Sequence, residues 1–376
     1  MRLAMVAGEA SGDLLASLLL GGLQARLPGL QAAGIGGPRM AEAGFTAWWP
    51  SDKLAVHGYV EALKHYREIK GIRDALAARL LRERPAAFVG VDAPDFNLGL
   101  EKTLKAAGMR TIHFVCPSIW AWRGGRAKKM AASCDHVLCL FPFEPELLRA
   151  HGVAASYVGH PLADAIPLEP PRAAARAALG LAPDDTVVAL LPGSRRAEIR
   201  HVAPPFLQAA ARLHRARPAL RFVLPMAPGL APLIEPLVAA HAPGVPLQLV
   251  EGRSHEVLAA CDVTLIASGT ATLEAALFKR PMVIGYALHP LSWQIMKRMR
   301  YQPWVGLPNI LLRDFVVPEL LQHDCRAAPL ADAVLAWLDD PPRREALVRR
   351  FEDLHLLLRR DTARTASEAI AQVLQA

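Results

Sequence analysis

Short runs of β-prone apolar residues alternate along this chain with longer segments of helical periodicity. In the first half, we predict strands near residues 2–7, 31–35, 87–92, 111–115, 136–140 and 156–158. Helices are predicted between them, near residues 12–27, 59–83, 97–107 and 144–151. Strands that alternate with helices are typical of a parallel sheet that helices cover on both faces.

A proline-rich passage, residues 160–172, interrupts this alternation. Its sequence is HPLADAIPLEPPR. Because proline fixes φ and removes a backbone donor, we interpret it as a linker. Beyond it, further strands are predicted near residues 187–191, 221–225, 247–250, 263–267 and 282–285. From about residue 329 the pattern is helical only, and the capping-box residues Thr365 to Glu368 predict the start of the last helix.

A length of 376 residues is more than one hydrophobic core usually holds. The repeated pattern therefore predicts two α/β lobes, each built on a parallel sheet, that face a cleft. Ligands of such sheets bind beyond the carboxyl ends of the strands. Residues that directly follow a predicted strand are therefore the first candidates for chemistry.

The net charge of +8 favours an anionic partner, which could be a nucleic acid, a phosphate-bearing substrate or an anionic membrane surface. Between Glu274 and Asp314 the chain has no acidic residue, and large apolar side chains separate its basic and aromatic ones. Those basic and aromatic residues are Lys279, Arg280, Tyr286, Trp293, Lys297, Arg298, Arg300, Tyr301, Trp304 and Arg313. This mixture favours an interfacial membrane surface over nucleic acid. A helix with an apolar core face and a solvated basic face fits the pattern equally well.

The N-terminal residues and the cysteines predict a cytoplasmic protein. Residues 1–13 turn polar after a few apolar positions, which is typical of a first buried strand and not of a signal peptide. No apolar run reaches the roughly 18 residues that a membrane span needs. The 5 cysteines are scattered without metal-ligand spacing, so we expect reduced, mostly buried thiols and no metal.

In the second lobe, a predicted strand runs directly into the segment SGTATLE, Ser268 to Glu274. The small residues Ser268, Gly269 and Thr270 allow backbone N–H groups to approach a ligand, and a helix N-terminus favours a diphosphate. Glu274 has Ala271 three residues before it, so it does not belong to a capping box. We interpret its carboxylate as the acceptor of a ribose diol. A surface glutamate that the helix dipole favours is the alternative.

A second loop, Pro192 to Ile199, follows the first predicted strand of this lobe and includes Ser194. Arg195 and Arg196 stand at the start of a predicted helix, where positive charge is unfavourable unless an anion neutralises it. Either arginine could therefore hold a diphosphate. Solvated arginines are the alternative.

In the first lobe, acidic residues follow two predicted strands. Glu9 and Asp13 lie at the first junction and could serve the cleft, whereas Ser11 could serve it or cap the helix. Asp95 is predicted to be the N-cap of the next helix. Asp92, at the end of its strand, has no such duty and is the better candidate for a general base.

Farther along, Cys116 to Arg123 reads CPSIWAWR and leads into a basic segment without acids. Trp122 and Arg123 could contact a phosphorylated acceptor, or the indoles could pack inside a solvated basic rim. Dinucleotide-binding, P-loop and zinc-protease motifs do not occur in the sequence. Their absence argues against a dehydrogenase, a P-loop NTPase and a zinc protease. The functions left open are a glycosyltransferase of any substrate class, a UDP-sugar epimerase and a non-catalytic nucleotide-binding scaffold.

Taken together, these motifs resemble the lipid-A-disaccharide synthase family, bacterial glycosyltransferases that join two acylated glucosamines. The motifs that carry the resemblance are GEASGD (8–13), GIGGPRM (34–40), VDAPDFN (91–97), PSIWAWR (117–123), FPFE (141–144), VGHPLAD (158–164), LPGSRRAEI (191–199), SGTATLEAAL (268–277) and LPNILL (307–312). They span most of the chain. Each is weak alone, but the set is specific.

The resemblance implies a GT-B architecture with an N-terminal lobe at 1–165, a C-terminal UDP-sugar lobe at 166–345 and helices at 346–376 that return to the first lobe. It implies inverting transfer without metal or cofactor. The donor would be UDP-2,3-diacylglucosamine and the acceptor 2,3-diacylglucosamine 1-phosphate, giving lipid A disaccharide 1-phosphate and UDP. Lipid substrates imply peripheral contact with the inner membrane, and a homodimer is possible.

The resemblance also carries residue roles onto this chain. It places Arg195 and Glu274 in the UDP site, Asn309 in the cleft, and Asp92 as the favoured base. The residues implied for the first-lobe side of the cleft are Glu9, Ser11 and Asp13. The sequence leaves the choice between Asp92 and Asp13 as the base open.

Overall fold

The computed structural model describes residues 1–54, 59–120, 125–287 and 302–375. The chain divides into two compact units, the first made of Met1–Asp164 and Leu358–Ala376, the second of Ala165–Leu357. The part of the chain that returns to the first unit therefore begins at Leu358, later than the sequence-based boundary at 346.

The first unit contains a seven-stranded parallel sheet within the described residues, in the order β3-β2-β1-β4-β5-β6-β7. Its strands are β1 (Arg2–Ala7), β2 (Gln31–Gly36), β3 (Thr46–Pro50), β4 (Ala87–Val91), β5 (Thr111–Phe114), β6 (His136–Cys139) and β7 (Ala154–Tyr157). Its helices are α1 (Ala10–Arg26), α2 (Pro38–Glu42), α3 (Tyr59–Glu83), α4 (Pro94–Ala106), α5 (Gly125–Ser133), α6 (Glu144–Arg149) and α7 (Pro161–Ala165). The edge strand β3 was not predicted, because its residues are half-exposed and lack a continuous apolar run.

The strand order places a topological switch point between β1 and β4. From β1 the chain proceeds outward to β2 and β3, and then returns to β4 on the other side of β1. Both strands are buried on both faces, which explains their uninterrupted apolar sequences. A switch point opens a crevice at the carboxyl ends of the two strands, where ligands of such sheets bind.

The C-terminal helix α16 (Thr362–Gln375) packs against α1 in this unit. Gly22 allows the close approach, since a Cβ at that position would lie 2.5 Å from the carbonyl oxygen of Ala363. The predicted capping-box start of this helix at Thr365 is wrong. The helix begins at Thr362, and Asp164 caps it by accepting the backbone N–H groups of Asp361 at 2.9 Å and Thr362 at 2.7 Å.

The second unit contains a six-stranded parallel sheet within the described residues, in the order β10-β9-β8-β11-β12-β13. Its strands are β8 (Val187–Leu191), β9 (Arg221–Met226), β10 (Leu247–Glu251), β11 (Val263–Ala267), β12 (Met282–Tyr286) and β13 (Glu319–Leu321). Its helices are α8 (Arg172–Leu179), α9 (Arg196–Ala216), α10 (Ala231–His241), α11 (Ser254–Ala260), α12 (Thr270–Leu277), α13 (Leu307–Leu312), α14 (Ala327–Leu338) and α15 (Pro341–Leu358). Here the switch point lies between β8 and β11.

Two features of composition have structural outcomes. All 5 cysteines are free and buried, which confirms the expectation of reduced core thiols. Across the described ranges, no helix combines the length and the apolar character that a bilayer crossing requires.

Candidate active site

A cavity of about 610 Å³ lies at the switch point of the second unit. Loops that follow β8, β9, β10 and β11 surround it, together with the end of β12. The lining residues are Leu191, Gly193, Ser194, Arg195, Glu198, Pro225, Met226, Ala227, Pro228, Gly252, Ser254, Ala267, Ser268, Gly269, Thr270, Ala271, Glu274 and Tyr286. The cavity is large enough for a nucleotide, and ligand pockets of this size class are common in enzymes.

The N-terminus of α12 forms one wall of this cavity. Gly269 is its N-cap with φ of 155°, a conformation that favours glycine, and the helix starts at Thr270. The first backbone N–H groups of a helix have no intrahelical partner, so they can bind an anion at this wall. Ser268 lines the cavity, while its hydroxyl donates to the carbonyl of Val305 at 3.2 Å.

The β8–α9 loop supplies the positive charge of the cavity. Arg195 is the N-cap of α9, and Ser194 and Arg195 are both exposed and line the cavity. The Arg195 guanidinium lies 3.1 Å from the Glu198 carboxylate. Such exposed pairs contribute little free energy, so an anion can compete with Glu198 for the guanidinium. Arg196, the other predicted candidate, does not line the cavity.

Glu274 presents a half-buried carboxylate to the cavity from the second turn of α12. His255 contacts it, with Nε2 lying 3.2 Å from Oε2. The hydrogen bond to Glu274 holds the pKa of His255 above its ordinary value. The arrangement is a carboxylate that can accept hydrogen bonds from vicinal hydroxyl groups, with the imidazole of His255 beside it.

Tyr286 and Asn309 stand in places that differ from the prediction. Tyr286, assigned from sequence to the basic aromatic stretch, lines the cavity at the end of β12. Asn309 is fully buried and does not line the cavity. Its side chain bonds both the N–H and the carbonyl of Val317 and reaches Glu319 at 2.8 Å, so it holds α13 against β13.

The basic stretch is also partly internal. Lys279 is buried, and Arg280 donates to the carbonyls of Leu258 and Ala259, so neither belongs to a membrane-facing surface. The remaining predicted contacts at 288–301 lie outside the described residues. Trp122 and Arg123 also lie outside them.

In the first unit, Asp92 directly follows β4 at the switch point and is half-buried. Asp92 and Ala93 have φ of 51° and 44°, in the left-handed region that non-glycine residues rarely occupy. Asn97 supports this turn by donating to the Asp92 carbonyl at 2.8 Å. Strained backbone that the surroundings enforce is concentrated at functional sites. Ala93, and not Asp95, is the N-cap of α4, which corrects that prediction.

The neighbouring junction brings Glu9 and Ser11 to the same edge of the sheet. A Cβ on Gly8 would lie 2.9 Å from that of Ala93, so the two loops are in contact. Glu9 and Ser11 are exposed there, and Glu9 is the N-cap of α1. These two residues and Asp92 therefore lie at the carboxyl ends of neighbouring strands in the first sheet.

Asp13 is used differently from its neighbours. It is buried, and its carboxylate accepts the backbone N–H groups of Gly37 at 2.9 Å, Arg39 at 3.0 Å and Met40 at 3.1 Å. These bonds satisfy the N-terminus of α2. Both carboxylate oxygens are engaged by the protein itself, which gives Asp13 a structural role.

Near Asp92, two fully buried side chains connect α4 to β5. Glu101 Oε1 lies 2.7 Å from His113 Nδ1. Burial raises the pKa of Glu101. Burial opposes protonation of His113, but the charge and hydrogen bond of Glu101 outweigh it and hold its pKa above the ordinary value. The pair lies near Asp92, whose charge also favours the protonated imidazole.

The tryptophan segment is anchored from within. Trp120 donates from its indole nitrogen to Glu144 Oε1 at 2.9 Å, and its ring packs edge-on against Phe141 and Phe143. Glu144 is buried, and burial raises its pKa to about 8. Trp120 therefore fits the alternative in which its indole packs inside the protein. The basic segment beyond it also has an acidic partner, because Arg126 lies 2.6 Å from Asp95.

Residues 3–373 match the family model described as lipid-A-disaccharide synthetase. The chain is 61% identical over 380 residues to the lipid-A-disaccharide synthase of Albidiferax ferrireducens, covering 100% of this chain and 98% of that one. For the enzyme of the same name from Verminephrobacter eiseniae the identity is 60%, covering 100% and 97%.

The chain belongs to the lipid-A-disaccharide synthetase family. It is a glycosyltransferase, and the resemblance that its motifs carry is confirmed.

Solved structures share the fold of this family member. The UDP-GlcNAc 2-epimerase of Neisseria meningitidis superposes with a TM-score of 0.65 at 11% identity, covering 100% of both chains. A glycosyltransferase involved in lipopolysaccharide biosynthesis superposes with a TM-score of 0.58 at 13% identity, also covering 100% of both. At these identities the likeness concerns the fold alone. It confirms the predicted GT-B class with two parallel-sheet lobes.

Sequence reasoning on this family member missed His255, Tyr286 and the β9–α10 loop around Met226. Their positions in the chain carry no motif. The one available signal was position, because Met226 and Tyr286 directly follow predicted strands and the carboxyl ends of neighbouring strands meet.

Proposed function

We propose that the protein transfers 2,3-diacylglucosamine from its UDP derivative to 2,3-diacylglucosamine 1-phosphate with inversion. The products are lipid A disaccharide 1-phosphate and UDP. The observation that carries the proposal is the identity of about three residues in five, over all of this chain, to enzymes named lipid-A-disaccharide synthase.

The UDP moiety is assigned to the cavity of the second unit. The N-terminus of α12 and the Arg195 guanidinium supply donors and positive charge for the diphosphate, and Ser194, Ser268, Gly269 and Thr270 let it approach. Glu274 accepts the ribose hydroxyls. The same cationic groups stabilise the diphosphate as it departs.

Asp92 is assigned as the base that removes the proton of the attacking hydroxyl. Inverting transfer needs one such group, and the carboxylate stands at a switch point on a constrained turn. Asp13, the other sequence candidate, is occupied with backbone donors. Glu9 and Ser11 are assigned to the acceptor side of Asp92. Neither step of this proposal requires a metal or a cofactor.

The lipid substrates imply that the protein works in the cytoplasm at the inner-membrane surface. The acid-free segment 288–301 is the proposed membrane contact, whereas Trp122 and Arg123 are proposed to contact the phosphorylated acceptor. Flotation with vesicles that contain anionic lipid tests this, and recovery of the protein entirely in the lipid-free fraction would refute it. A homodimer remains part of the proposal, and sedimentation equilibrium would measure it.

The decisive assay follows disaccharide formation and UDP release from the two lipid substrates. Asp92→Asn should lower kcat by about 10²- to 10⁴-fold, the usual contribution of a general base. Asp95→Asn is the matched control, since Asp95 is an exposed carboxylate three residues away that pairs with Arg126. Full turnover of Asp92→Asn would remove the base assignment.

The epimerases among the structural relatives suggest a second candidate reaction. An epimerase would act on the UDP-sugar without an acceptor. UDP release that does not depend on the acceptor lipid, or sugar isomerisation without any disaccharide, would therefore overturn the proposed transfer.

A further inference from the structure

Helix α11 places a histidine behind the carboxylate that faces the nucleotide cavity. His255 is the second residue of this helix, directly after Ser254, which lines the cavity. Its Nε2 lies 3.2 Å from Glu274 Oε2, and its ring packs on Phe278 with the centroids 5.3 Å apart. Helix α12 thus holds the imidazole at two points, through the polar contact with Glu274 and through the packing of Phe278, its C-cap residue.

The contact has a directional consequence for Glu274. A carboxylate has two oxygens and about four acceptor positions, and a glutamate at the rim of a cavity can rotate about its last torsion. A donor that engages Oε2 removes that freedom and leaves Oε1 to accept hydroxyl groups of a ligand. Pre-organisation of this kind improves binding because less freedom is lost when the ligand arrives.

We propose that His255 is a positioning residue for nucleotide recognition, which orients Glu274 toward the ribose diol and so contributes to the preference for ribonucleotides over deoxyribonucleotides. The inference rests on the proposed role of Glu274 in binding UDP. It adds a residue to which neither the sequence motifs nor the cavity lining assigns a role.

The surroundings of the imidazole support this assignment. On its other side lies an apolar cavity of about 420 Å³, to which α8 and residues 165–171 contribute alanine, proline and isoleucine side chains. Glu256 also lines that cavity, but it pairs with Arg253. Glu274 is therefore the acidic group that acts on His255, and it holds the pKa of the imidazole above its ordinary value.

Two variants separate the donor from the ring. His255→Phe keeps a ring against Phe278 and removes the donor, whereas His255→Gln keeps a donor and removes the ring. His323→Phe is the matched control, because His323 is paired with Asp324 at 3.1 Å but is 83% exposed and lies outside the nucleotide cavity.

The measurement is calorimetric affinity of the full chain for UDP and for 2′-deoxy-UDP. His255→Phe should weaken UDP binding by about three- to tenfold and 2′-deoxy-UDP binding less, since one hydrogen bond is removed from the diol site. The affinity of His255→Gln for UDP should stay within about twofold of the wild type, because the glutamine amide is a donor that can restore the orientation of Glu274. In combination with Glu274→Ala, His255→Phe should have no further effect.

The outcomes are distinguishable. If Glu274→Ala leaves the affinity for UDP unchanged, the ribose role of Glu274 fails and this inference fails with it. If Glu274→Ala weakens binding but His255→Phe does not, only the inference is overturned. It is also overturned if His255→Gln is the damaging variant, since the ring packing and not the donor would then matter.

Discussion

Replacement of Asp13 tests whether this residue is a structural cap or a catalytic group. Asp13→Ala removes the acceptor of three backbone N–H groups, those of Gly37, Arg39 and Met40. We expect it to lower the free energy of unfolding by about 3 kcal/mol, because a helix cap contributes about 0.5–2 kcal/mol and buried donors left unpaired cost about 1–3 kcal/mol. This is a large part of the stability of a typical domain.

Asp13→Asn should be intermediate. The amide oxygen can take the place of Oδ1, which accepts from Gly37 and Met40, but the amide nitrogen then faces the N–H of Arg39. One bond is lost and two donors oppose each other, so we expect a loss of about 1–2 kcal/mol. Glu42→Ala is the control, since Glu42 is an exposed carboxylate on the same helix α2.

The assay is urea unfolding with and without UDP. If UDP binds the second unit, it stabilises that unit by mass action, so the transition that does not move with UDP reports the first unit. Asp13→Ala should shift that transition, while kcat at low temperature stays within about threefold of the wild type, far from the 10²- to 10⁴-fold loss expected for a base. Unchanged stability together with a hundredfold loss of kcat would refute the capping role.

Three further perturbations follow from the packing of the first unit. Gly22→Ala should destabilise this unit by at least about 2 kcal/mol, because a Cβ would meet the Ala363 carbonyl. Gly21→Ala is the control, since it has open space around it and should stabilise α1 by up to about 1 kcal/mol. Equal midpoints of the two variants in urea unfolding would contradict this. Asp164→Ala should cost about 1–2 kcal/mol and speed hydrogen exchange in α16, and unchanged exchange would argue against the cap. The Glu144 carboxyl has a pKa of about 8 in the folded protein, against an ordinary 4.5. Between these values the carboxyl stays protonated in the folded state and ionises in the unfolded state. The free energy of unfolding of the wild type should therefore fall by a few kcal/mol from about pH 5 to pH 8. Glu144→Gln should flatten that profile, and a parallel profile would refute the cause.

Much of the fold was predictable because its signals are local. The buried strands β1, β4, β8 and β11 are continuous apolar runs, and a parallel sheet covered on both faces produces such runs. The edge strands β3 and β13 were missed, since they are short and half-exposed. The start of α16 was misplaced for a different reason: its cap is Asp164, which is distant in the sequence, while a local pattern at Thr365 imitated a capping box.

The candidate site also contains some residues that local sequence patterns identify and others that they do not. The segment Ser268 to Glu274 and the Arg195 loop were found from sequence, because a strand, a run of small residues and a helix start stand next to each other in the chain. Asn309 was assigned to the cleft by family resemblance alone, and the structure places it in a buried network between α13 and β13.

The amino-acid sequence by itself determined the alternation of strands and helices, the two-lobed class, the family and two of the loops that line the cavity. Only the tertiary structure decided the surroundings of each carboxylate. Asp13 and Asp92 both follow strands of one sheet, yet one caps α2 and the other stands on a constrained turn at the switch point. His255 likewise meets Glu274 only through the packing of α11 beside α12. The physical reason is that hydrogen-bond partners of a carboxylate are set by neighbours in space, and those neighbours are remote along the chain.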